Sequence, residues 1–297
     1  MPPDMQARAA VSPSLWFNDD FPELGADVNL ARCLGEAHLT GFEGVELSAR
    51  FPRAPGVLAE ALAVCGLSAS AGYLDIRLIK NGIRDERAAF GKRLEYLAAA
   101  GCSVLIVTDV TGEIYSRRKG ALFGPALPSL PLDRWKKMSA ELDEMADIAQ
   151  GAGVALAYRP RLGTLVQDKN AIDRMLQQTR LVRLAVDTGH LEVADVPVAA
   201  LVREYADRLG YVQLKKMRRD IMRAMGTGKI SYCEAVSRGL FAPPGEGKDA
   251  FADLFAALSQ AGYRGWVSAA AEQNPDSRDP RKAAAKARAY LKSSAGI

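Results

Sequence analysis

The residues best suited to chemistry are Asp187 and His190, in the run Val186-Asp187-Thr188-Gly189-His190. They follow the apolar segment Leu181–Val186, whose composition predicts a buried strand. A carboxylate and an imidazole at a strand end could hold a metal ion or exchange protons. The chain has only two histidines, and the other, His38, falls in a predicted helix. A histidine-rich metal cage therefore cannot be built from this chain.

Segments with strand composition alternate with helical patterns along the chain. The predicted strands are Ser14–Phe17, Gly44–Leu47, Ser68–Tyr73, Ser103–Thr108, Val154–Tyr158, Leu181–Asp187, Tyr211–Lys215 and Gly265–Ala269. The predicted helices are Leu30–Leu39, Gly56–Val64, Asp85–Ala100, Asp133–Gln150, Ala171–Gln178, Pro197–Arg208, Ala250–Ala261 and a closing helix, Pro280–Leu291. This alternation predicts a single-domain (β/α)₈ TIM barrel over residues 1–297, whose active site would lie at the carboxyl ends of the strands. A doubly wound open sheet is the alternative, but no glycine-rich phosphate loop follows the first predicted strand.

Composition sets broad limits on function. A net charge of +4, evenly spread, argues against nucleic-acid or membrane binding. The cysteines are scattered without CxxC spacing, which favours buried thiols over disulfides or metal ligands. With no apolar run of about 18 residues and no signal-peptide pattern, we expect a cytoplasmic protein.

Two predicted loops exceed the usual length of a connection between strand and helix. Residues 111–132 include Arg117-Arg118-Lys119, and residues 217–230 are basic and rich in methionine. Long loops on a barrel commonly act as lids or oligomer contacts, although a solvated surface loop is an equal alternative here.

Several stretches carry a resemblance to a known family. They are Trp16–Gly25, Gly41–Leu47, Phe51–Arg53, Gly163-Thr164, Asp187–Leu191, Tyr205–Arg208 and Glu272–Pro275. Together they resemble the inosose (2-keto-myo-inositol) dehydratases, members of the sugar phosphate isomerase/epimerase, or xylose isomerase-like TIM barrel, superfamily. The first stretch is the most specific, whereas Asp-Thr-Gly-His is shared by the wider superfamily. The resemblance implies action on polyhydroxylated keto compounds through an enediolate, with a divalent metal polarising the ketone.

The chain departs from this family where the resemblance implies metal ligands. Gln167 and Ala270 stand where the family has glutamates, and Gln213 stands where it has a histidine. Arg159 and Arg161 also replace histidines. Of the four ligand positions only Asp187 is kept.

These departures argue against a metal cofactor. A hard divalent ion needs several oxygen or imidazole ligands and carboxylate charge, which two amides and an alanine do not supply. At an effective dielectric constant of about 20, each guanidinium charge ~6 Å away would oppose a cation by roughly 3 kcal/mol per unit charge. We therefore expect no metal, with one route left open, in which Glu272 and Glu46 join Asp187.

The remaining polar residues suggest roles in acid/base catalysis and substrate binding. Asp187 and His190 could exchange protons, although Asp187 could equally cap the following helix. Lys215 could protonate a leaving hydroxyl, hold an enolate or simply pair with Asp187, and Glu46 could be a base. Arg159 and Arg161 would hold a carboxylate or an enolate oxygen. The other predicted substrate-binding residues are Asn18, Asp19, Trp16, Tyr73, Gln213, Gln167 and Glu272, with Trp16 and Tyr73 as pocket walls.

The leading hypothesis is a metal-independent lyase or isomerase descended from inosose dehydratase-like enzymes. It would remove a proton next to the carbonyl of a small, oxygenated, anionic substrate, in a specialised biosynthetic reaction. One alternative is a non-catalytic barrel that binds an anionic metabolite or a protein partner. Another is a metal-dependent inosose dehydratase with atypical ligands. The resemblance also implies a homo-oligomer, either a dimer or a tetramer.

Overall fold

Strands and helices alternate along the chain in the computed structural model, which describes residues 5–114, 129–246 and 251–297. The strands are β1 (Arg8–Val11), β2 (Gly44–Glu46), β3 (Ser68–Ile76), β4 (Val104–Asp109), β5 (Ala155–Tyr158), β6 (Arg183–Asp187), β7 (Leu209–Leu214), β8 (Lys216–Met217), β9 (Phe241–Ala242) and β10 (Trp266–Ala269). The helices are α1 (Leu30–Leu39), α2 (Pro55–Val64), α3 (Leu78–Asn81), α4 (Ile83–Ala99), α5 (Leu132–Gly151), α6 (Lys169–Gln178), α7 (Thr188–Val193), α8 (Val198–Glu204), α9 (Arg219–Gly226), α10 (Tyr232–Ser237), α11 (Ala252–Gln260) and α12 (Pro280–Ala295).

Eight parallel strands close into a barrel in the order β1-β10-β7-β6-β5-β4-β3-β2. Val11 of β1 closes the ring, because it pairs with Ala269 of β10 on one side and with Val45 of β2 on the other. Since the strands are parallel, all their carboxyl ends meet at one mouth. The predicted (β/α)₈ barrel is therefore confirmed.

Small side chains fill much of the barrel interior. Ala10, Ala71, Ala157 and Ala185 belong to one buried cluster there, and they leave room for the ring of Tyr211 from β7. A second and larger apolar cluster packs the outer faces of the strands against the helices. The interior is thus a packed core that supports the mouth rather than a channel.

The first predicted strand, Ser14–Phe17, is wrong. The strand is Arg8–Val11, and Pro13–Leu15 forms one 3-10 turn whose first residue is proline. The Ser12 hydroxyl accepts a hydrogen bond from the Ser14 N–H and caps this turn. Proline fixes φ and lacks an N–H, so it favours the start of a helical turn over a strand. The other seven predicted strands are confirmed, with ends shifted by a few residues.

The predicted helices are also found. Pro197–Arg208 is divided into α8 and a 3-10 turn, Ala206–Arg208, and Ala250, the predicted start of α11, lies outside the described residues.

The predicted loop 217–230 is largely ordered structure. It contains α9, and it begins in β8, which pairs with β9 as an antiparallel ribbon in which Met217 is opposite Phe241. All of residues 217–230 are described, and none of them lines the pocket at the barrel mouth. Most of the other predicted lid, including Arg117-Arg118-Lys119, lies outside the described residues.

Candidate active site

A pocket of about 320 Å³ opens at the mouth of the barrel. It brings together residues from most of the strand ends, 12 to 272 in the sequence, including eight that the sequence predicts for the site. The carboxylates of the lining come from Asp19, Asp20, Glu46, Asp75 and Glu272, the guanidinium groups from Arg159 and Arg161, and further polar groups from Asn18, Tyr73 and Gln213. The wall therefore carries more carboxylates than cations.

Glu46 ends β2 and is held by donors from β7. The Gln213 amide nitrogen donates to both carboxylate oxygens, at 2.9 Å each, and the Tyr211 hydroxyl donates to Oε1 at 3.1 Å. Gln213 and Tyr211 lie two residues apart on one strand, so both side chains point to the same face. Glu46 is only 2% exposed, and it forms part of the pocket lining. A buried carboxylate fixed in this way can accept a proton from a ligand.

Arg159, just after β5, supplies the cation of this wall that forms no ion pair with any described carboxylate. Its guanidinium lies 4.9 Å from the centre of the Tyr73 ring, and its buried Nε has no hydrogen-bond partner. Burial, together with the Glu46 carboxylate, raises the pKa of Tyr73 well above its usual value, so the phenol stays protonated. The Tyr73 hydroxyl accepts a hydrogen bond from Gln213 at 3.1 Å. Arg159 is thus a planar donor available to an oxygen of a ligand.

Lys215 lies behind the pocket, between two carboxylates. Its Nζ is 2.7 Å from Glu272 Oε1 and 3.1 Å from Asp187 Oδ2, and it lies 4.4 Å from the centre of the Phe241 ring. A Cβ at position 189 would lie 2.6 Å from Lys215 Cγ, so glycine is required there by the lysine stem. Glu272 lines the pocket while Lys215 is completely buried. The ammonium group therefore fixes Glu272 from behind.

Asp187, His190 and Lys215, which the sequence predicts as catalytic residues, do not line the pocket. Asp187 and Lys215 are 0% exposed and His190 is 4% exposed. Asp187 Oδ1 accepts from the N–H groups of Gly189 and His190, so it does cap α7, while Oδ2 faces Lys215. Among the contacts described, the link from this cluster to the pocket wall is the ion pair of Lys215 with Glu272.

Burial and neighbouring charges together determine the pKa values of Asp187 and His190. Burial raises the pKa of Asp187, but Lys215, His190 and Arg159 outweigh it and lower the pKa to about 2. Burial lowers the pKa of His190 well below its usual value, and Lys215 and Arg159 lower it further, against the opposing effect of Asp187. His190 is therefore neutral and Asp187 ionised near neutral pH.

Arg161, in the loop after β5, connects that loop to the loop after β1 and to the end of β3 through ion pairs. Its guanidinium binds Asp20 at 2.5 Å, in the loop after β1, and lies 3.7 Å from Asp75 of β3. The side chain is 5% exposed and is engaged by both carboxylates. Its charge therefore serves to hold the pocket rim rather than to attract an anion.

The loop after β1 supplies one wall of the pocket. Asn18 Oδ1 accepts from the N–H groups of Asp20 and Phe21, whereas Asn18 Nδ2 is buried and has no partner. Asp19 accepts from the Ser48 hydroxyl and the Ala49 N–H, which ties this loop to the end of β2. Both residues line the pocket, as the sequence predicts.

Two predicted substrate-binding residues do not reach the pocket. The Trp16 ring is fully buried, and its Nε1 donates to Glu36 at 2.6 Å. The Gln167 Oε1 accepts from the Gly163 N–H at 2.7 Å and braces the loop after β5. In both cases a turn directs the side chain away from the mouth.

Sequence reasoning missed Tyr211, Asp20 and Asp75 as site residues. Tyr211 alternates with Gln213 and Lys215 along β7, and this period of two is the signal that could have identified it. Asp20 adjoins the predicted pair Asn18 and Asp19. Nothing in the sequence indicates that Asp20 and Asp75 would converge on Arg161.

The side chains at the implied metal positions do not fit a divalent ion. Gln167 is turned to Gly163, Gln213 presents its amide nitrogen to Glu46, and Ala270 has no donor. The one retained ligand, Asp187, is paired with the Lys215 ammonium. Within the described ranges, no group of three or more His, Cys, Asp or Glu residues could hold a metal ion.

Comparison with known proteins defines the class of protein. The family model described as xylose isomerase-like TIM barrel matches residues 25–294. The inosose dehydratase of Geobacillus thermodenitrificans is 30% identical over 294 residues, which cover 98% of each chain. Among solved structures, the IOLI protein with a bound zinc atom superposes with a TM-score of 0.72 at 13% identity, over 97% of this chain and 98% of its own. The 3-keto-D-glucoside 4-epimerase of E. coli superposes with a TM-score of 0.69 at 17% identity, over 97% and 99%.

The chain belongs to the xylose isomerase-like TIM barrel family, as an inosose dehydratase-like member. The relatives support an enzyme of the lyase or isomerase type. Over the described part of the chain, no helix has the length and apolarity needed to cross a membrane.

Proposed function

We propose that this protein removes a proton next to the carbonyl of a small polyhydroxylated keto compound, without a divalent metal. The observation that carries the proposal is a set of buried polar atoms without partners among residues that line one pocket. Over the described residues, they are two donors, Asn18 Nδ2 and Arg159 Nε, two acceptors, Gln213 Oε1 and Glu272 Oε2, and the Ser14 hydroxyl, which can act as either. Buried polar groups are normally paired, and hydroxyl groups can satisfy donors and acceptors alike.

The charge of the wall favours a neutral substrate over the anionic one expected from the sequence. Arg161 is engaged by Asp20 and Asp75, and Lys215 by Asp187 and Glu272. Among the residues that the structure describes, a substrate carboxylate or phosphate would meet these carboxylates with Arg159 as the one unpaired cation to balance it. The single guanidinium of Arg159 can stabilise one partial negative charge, such as the charge that develops on a ketone oxygen as the enolate forms.

The proposed reaction uses Glu46 as the base. Its carboxylate takes the proton from the carbon next to the carbonyl, the C–H electrons form a carbon–carbon double bond, and the ketone oxygen becomes an enolate beside Arg159. When the enolate collapses, a hydroxyl group on the next carbon leaves with the proton held by Glu46, as water. Return of the proton to carbon instead gives isomerisation or epimerisation. Glu272, fixed by Lys215, accepts a hydrogen bond from a substrate hydroxyl throughout.

Metal independence is supported by the donor set: two amides and an alanine stand at the implied ligand positions, and the Lys215 ammonium pairs with the one retained ligand, Asp187. The test is to purify the protein without chelators, measure bound metals, and incubate it with inosose and related keto-polyols while following products by NMR. The proposal predicts turnover of a neutral ketone that is unchanged by a chelator. Stoichiometric Mn, Co or Mg with chelator-sensitive dehydration would favour the atypical metal enzyme. Binding of keto-polyols without any proton exchange would favour a non-catalytic barrel.

A further inference from the structure

We infer that Tyr211 is a positioning residue that fixes Glu46 for proton abstraction; this rests on the proposed role of Glu46 as the base. The Tyr211 hydroxyl lies 3.1 Å from Glu46 Oε1, and the two residues are 165 positions apart in the chain. Tyr211 is 0% exposed and lies beneath Glu46 in the barrel interior, so it cannot touch a ligand in the pocket. Its influence on the reaction must pass through the carboxylate.

The alanines of the barrel interior allow this arrangement. The phenol ring packs in a cluster to which four strands of the barrel contribute alanines, namely Ala10, Ala71, Ala157 and Ala185, alongside Val104 and Ile106 of β4. Burial raises the pKa of Tyr211 well above its usual value, and the nearby Glu46 raises it further. The hydroxyl therefore keeps its proton and acts as a donor across the working range of pH.

The direction of the hydrogen bonds follows from the single proton of the phenol. The Tyr211 oxygen is also 2.9 Å from the Ser70 hydroxyl, and either group could in principle donate there. Because an ionised Glu46 can only accept, Tyr211 donates to Glu46 and accepts from Ser70. Ser70 on β3, Tyr211 on β7 and Glu46 on β2 thus form a directed chain that ends at the base.

Gln213 fixes the same carboxylate from a second direction, through both of its oxygens. Two donors from one strand leave the carboxylate little freedom to rotate. A displacement of the reacting oxygen by about 1 Å can lower the rate roughly 100-fold. The loss of one donor to Glu46 should therefore lower the rate of proton abstraction.

The experiment compares Tyr211→Phe with Tyr263→Phe as a matched control. Tyr263 is also buried, and its hydroxyl donates to the Trp266 carbonyl at 2.9 Å, away from the pocket. Each variant removes one buried phenol hydroxyl and the hydrogen bond that it donates. Tyr211→Phe also removes the bond accepted from Ser70, so it should lose at least as much thermal stability as Tyr263→Phe. For deuterium exchange into a keto-polyol, Tyr211→Phe should lower kcat about 10- to 100-fold with KM changed less than about twofold. Tyr263→Phe should keep the wild-type kcat.

The outcomes separate this inference from the proposed function. If Glu46→Gln keeps wild-type exchange, or wild type shows none, the proposed function fails and the positioning role fails with it. If Glu46→Gln is inactive but Tyr211→Phe matches Tyr263→Phe in kcat, only the positioning role of Tyr211 is overturned. Should Tyr211→Phe not fold, Ser70→Ala decides, since it removes only the donor to Tyr211. It should lower kcat a few-fold at constant KM, and an unchanged kcat would overturn the inference.

Discussion

The ammonium group of Lys215 and the carboxylate of Asp187 form an ion pair, with Nζ 3.1 Å from Oδ2, in a region closed to solvent. Asp187 is also the residue of the Asp-Thr-Gly-His run that ends β6. This pair, completed by Glu272, sets the charge at the back of the pocket. The stability and the activity of the protein should both depend on it.

Replacing Lys215 should be strongly destabilising. Lys215→Met leaves Asp187 buried and uncompensated, which should cost about 3–5 kcal/mol in the free energy of unfolding, measured with urea. Lys169→Met is the matched control, because Lys169 pairs with Asp173 and Glu204 at the half-exposed surface and should cost under about 1 kcal/mol. Adding Asp187→Asn to Lys215→Met should recover part of the loss. Equal effects of the two lysine substitutions would contradict this account.

Gly189 should be intolerant of a methyl group. A Cβ there would lie 2.6 Å from Lys215 Cγ, 2.8 Å from its Cε and 2.9 Å from Phe241 Cε1. Gly189→Ala should therefore cost about 1–3 kcal/mol of stability and reduce turnover by displacing Lys215 and Glu272. Gly91→Ala, at a position in α4 with nothing within 4 Å, should instead stabilise by about 1 kcal/mol. Parallel thermal and chemical unfolding of the two variants checks this, and a neutral Gly189→Ala would show that Lys215 is not confined.

The free energy of unfolding should fall as the pH is lowered, because of His190. Burial keeps the pKa of this imidazole well below its usual value in the folded protein, whereas the unfolded chain takes up a proton near pH 6.5. The unfolded state then binds more protons, so the free energy of unfolding rises with pH and falls as the pH drops below about 6.5. Below about pH 6.5, the slope of the free energy of unfolding against pH approaches about 1.4 kcal/mol per pH unit. Urea titrations between pH 5 and 7 should show a flatter dependence for His190→Gln than for His38→Gln, and identical slopes would refute the assignment.

Arg159 should matter through the shape of its donor group as well as its charge. Arg159→Lys keeps the charge but loses the planar guanidinium that stacks on Tyr73, so kcat/KM should fall roughly 10- to 100-fold. Arg174→Lys, which changes an arginine stacked 5.5 Å from Trp135 outside the pocket, controls for the loss of stacking. Full activity of Arg159→Lys would mean that Arg159 does not contact the reacting oxygen.

The barrel could be predicted from the sequence more completely than the site. Long apolar strands such as β4 and β6 are recognisable from their composition, whereas β1, Arg-Ala-Ala-Val, is short and rich in alanine, a residue that strands disfavour. The first strand was instead predicted at the bulkier apolar residues Leu15-Trp16-Phe17. These residues are buried by packing against neighbouring elements, which composition alone cannot distinguish from a strand.

Positions at strand ends predicted eight of the 17 residues that line the pocket, because the parallel topology brings those ends together. The same reasoning failed for Trp16 and Gln167, since local turns decide where a side chain points after a strand ends. Strand-end positions also could not indicate that Glu272 lines the pocket whereas Lys215 is buried behind it. That order depends on contacts between β7, β10 and Phe241, which are distant in the chain.

The most direct test of the central claim is deuterium uptake from D₂O at the carbon next to the carbonyl of a neutral keto-polyol. Chelator-treated wild type and Glu46→Gln would be compared by NMR, with metal content measured on the same samples. We predict the same exchange rate before and after chelation, and a rate lowered by about 100-fold or more in Glu46→Gln. Exchange that stops on chelation and returns with Mn²⁺, or that continues unchanged in Glu46→Gln, would contradict the account.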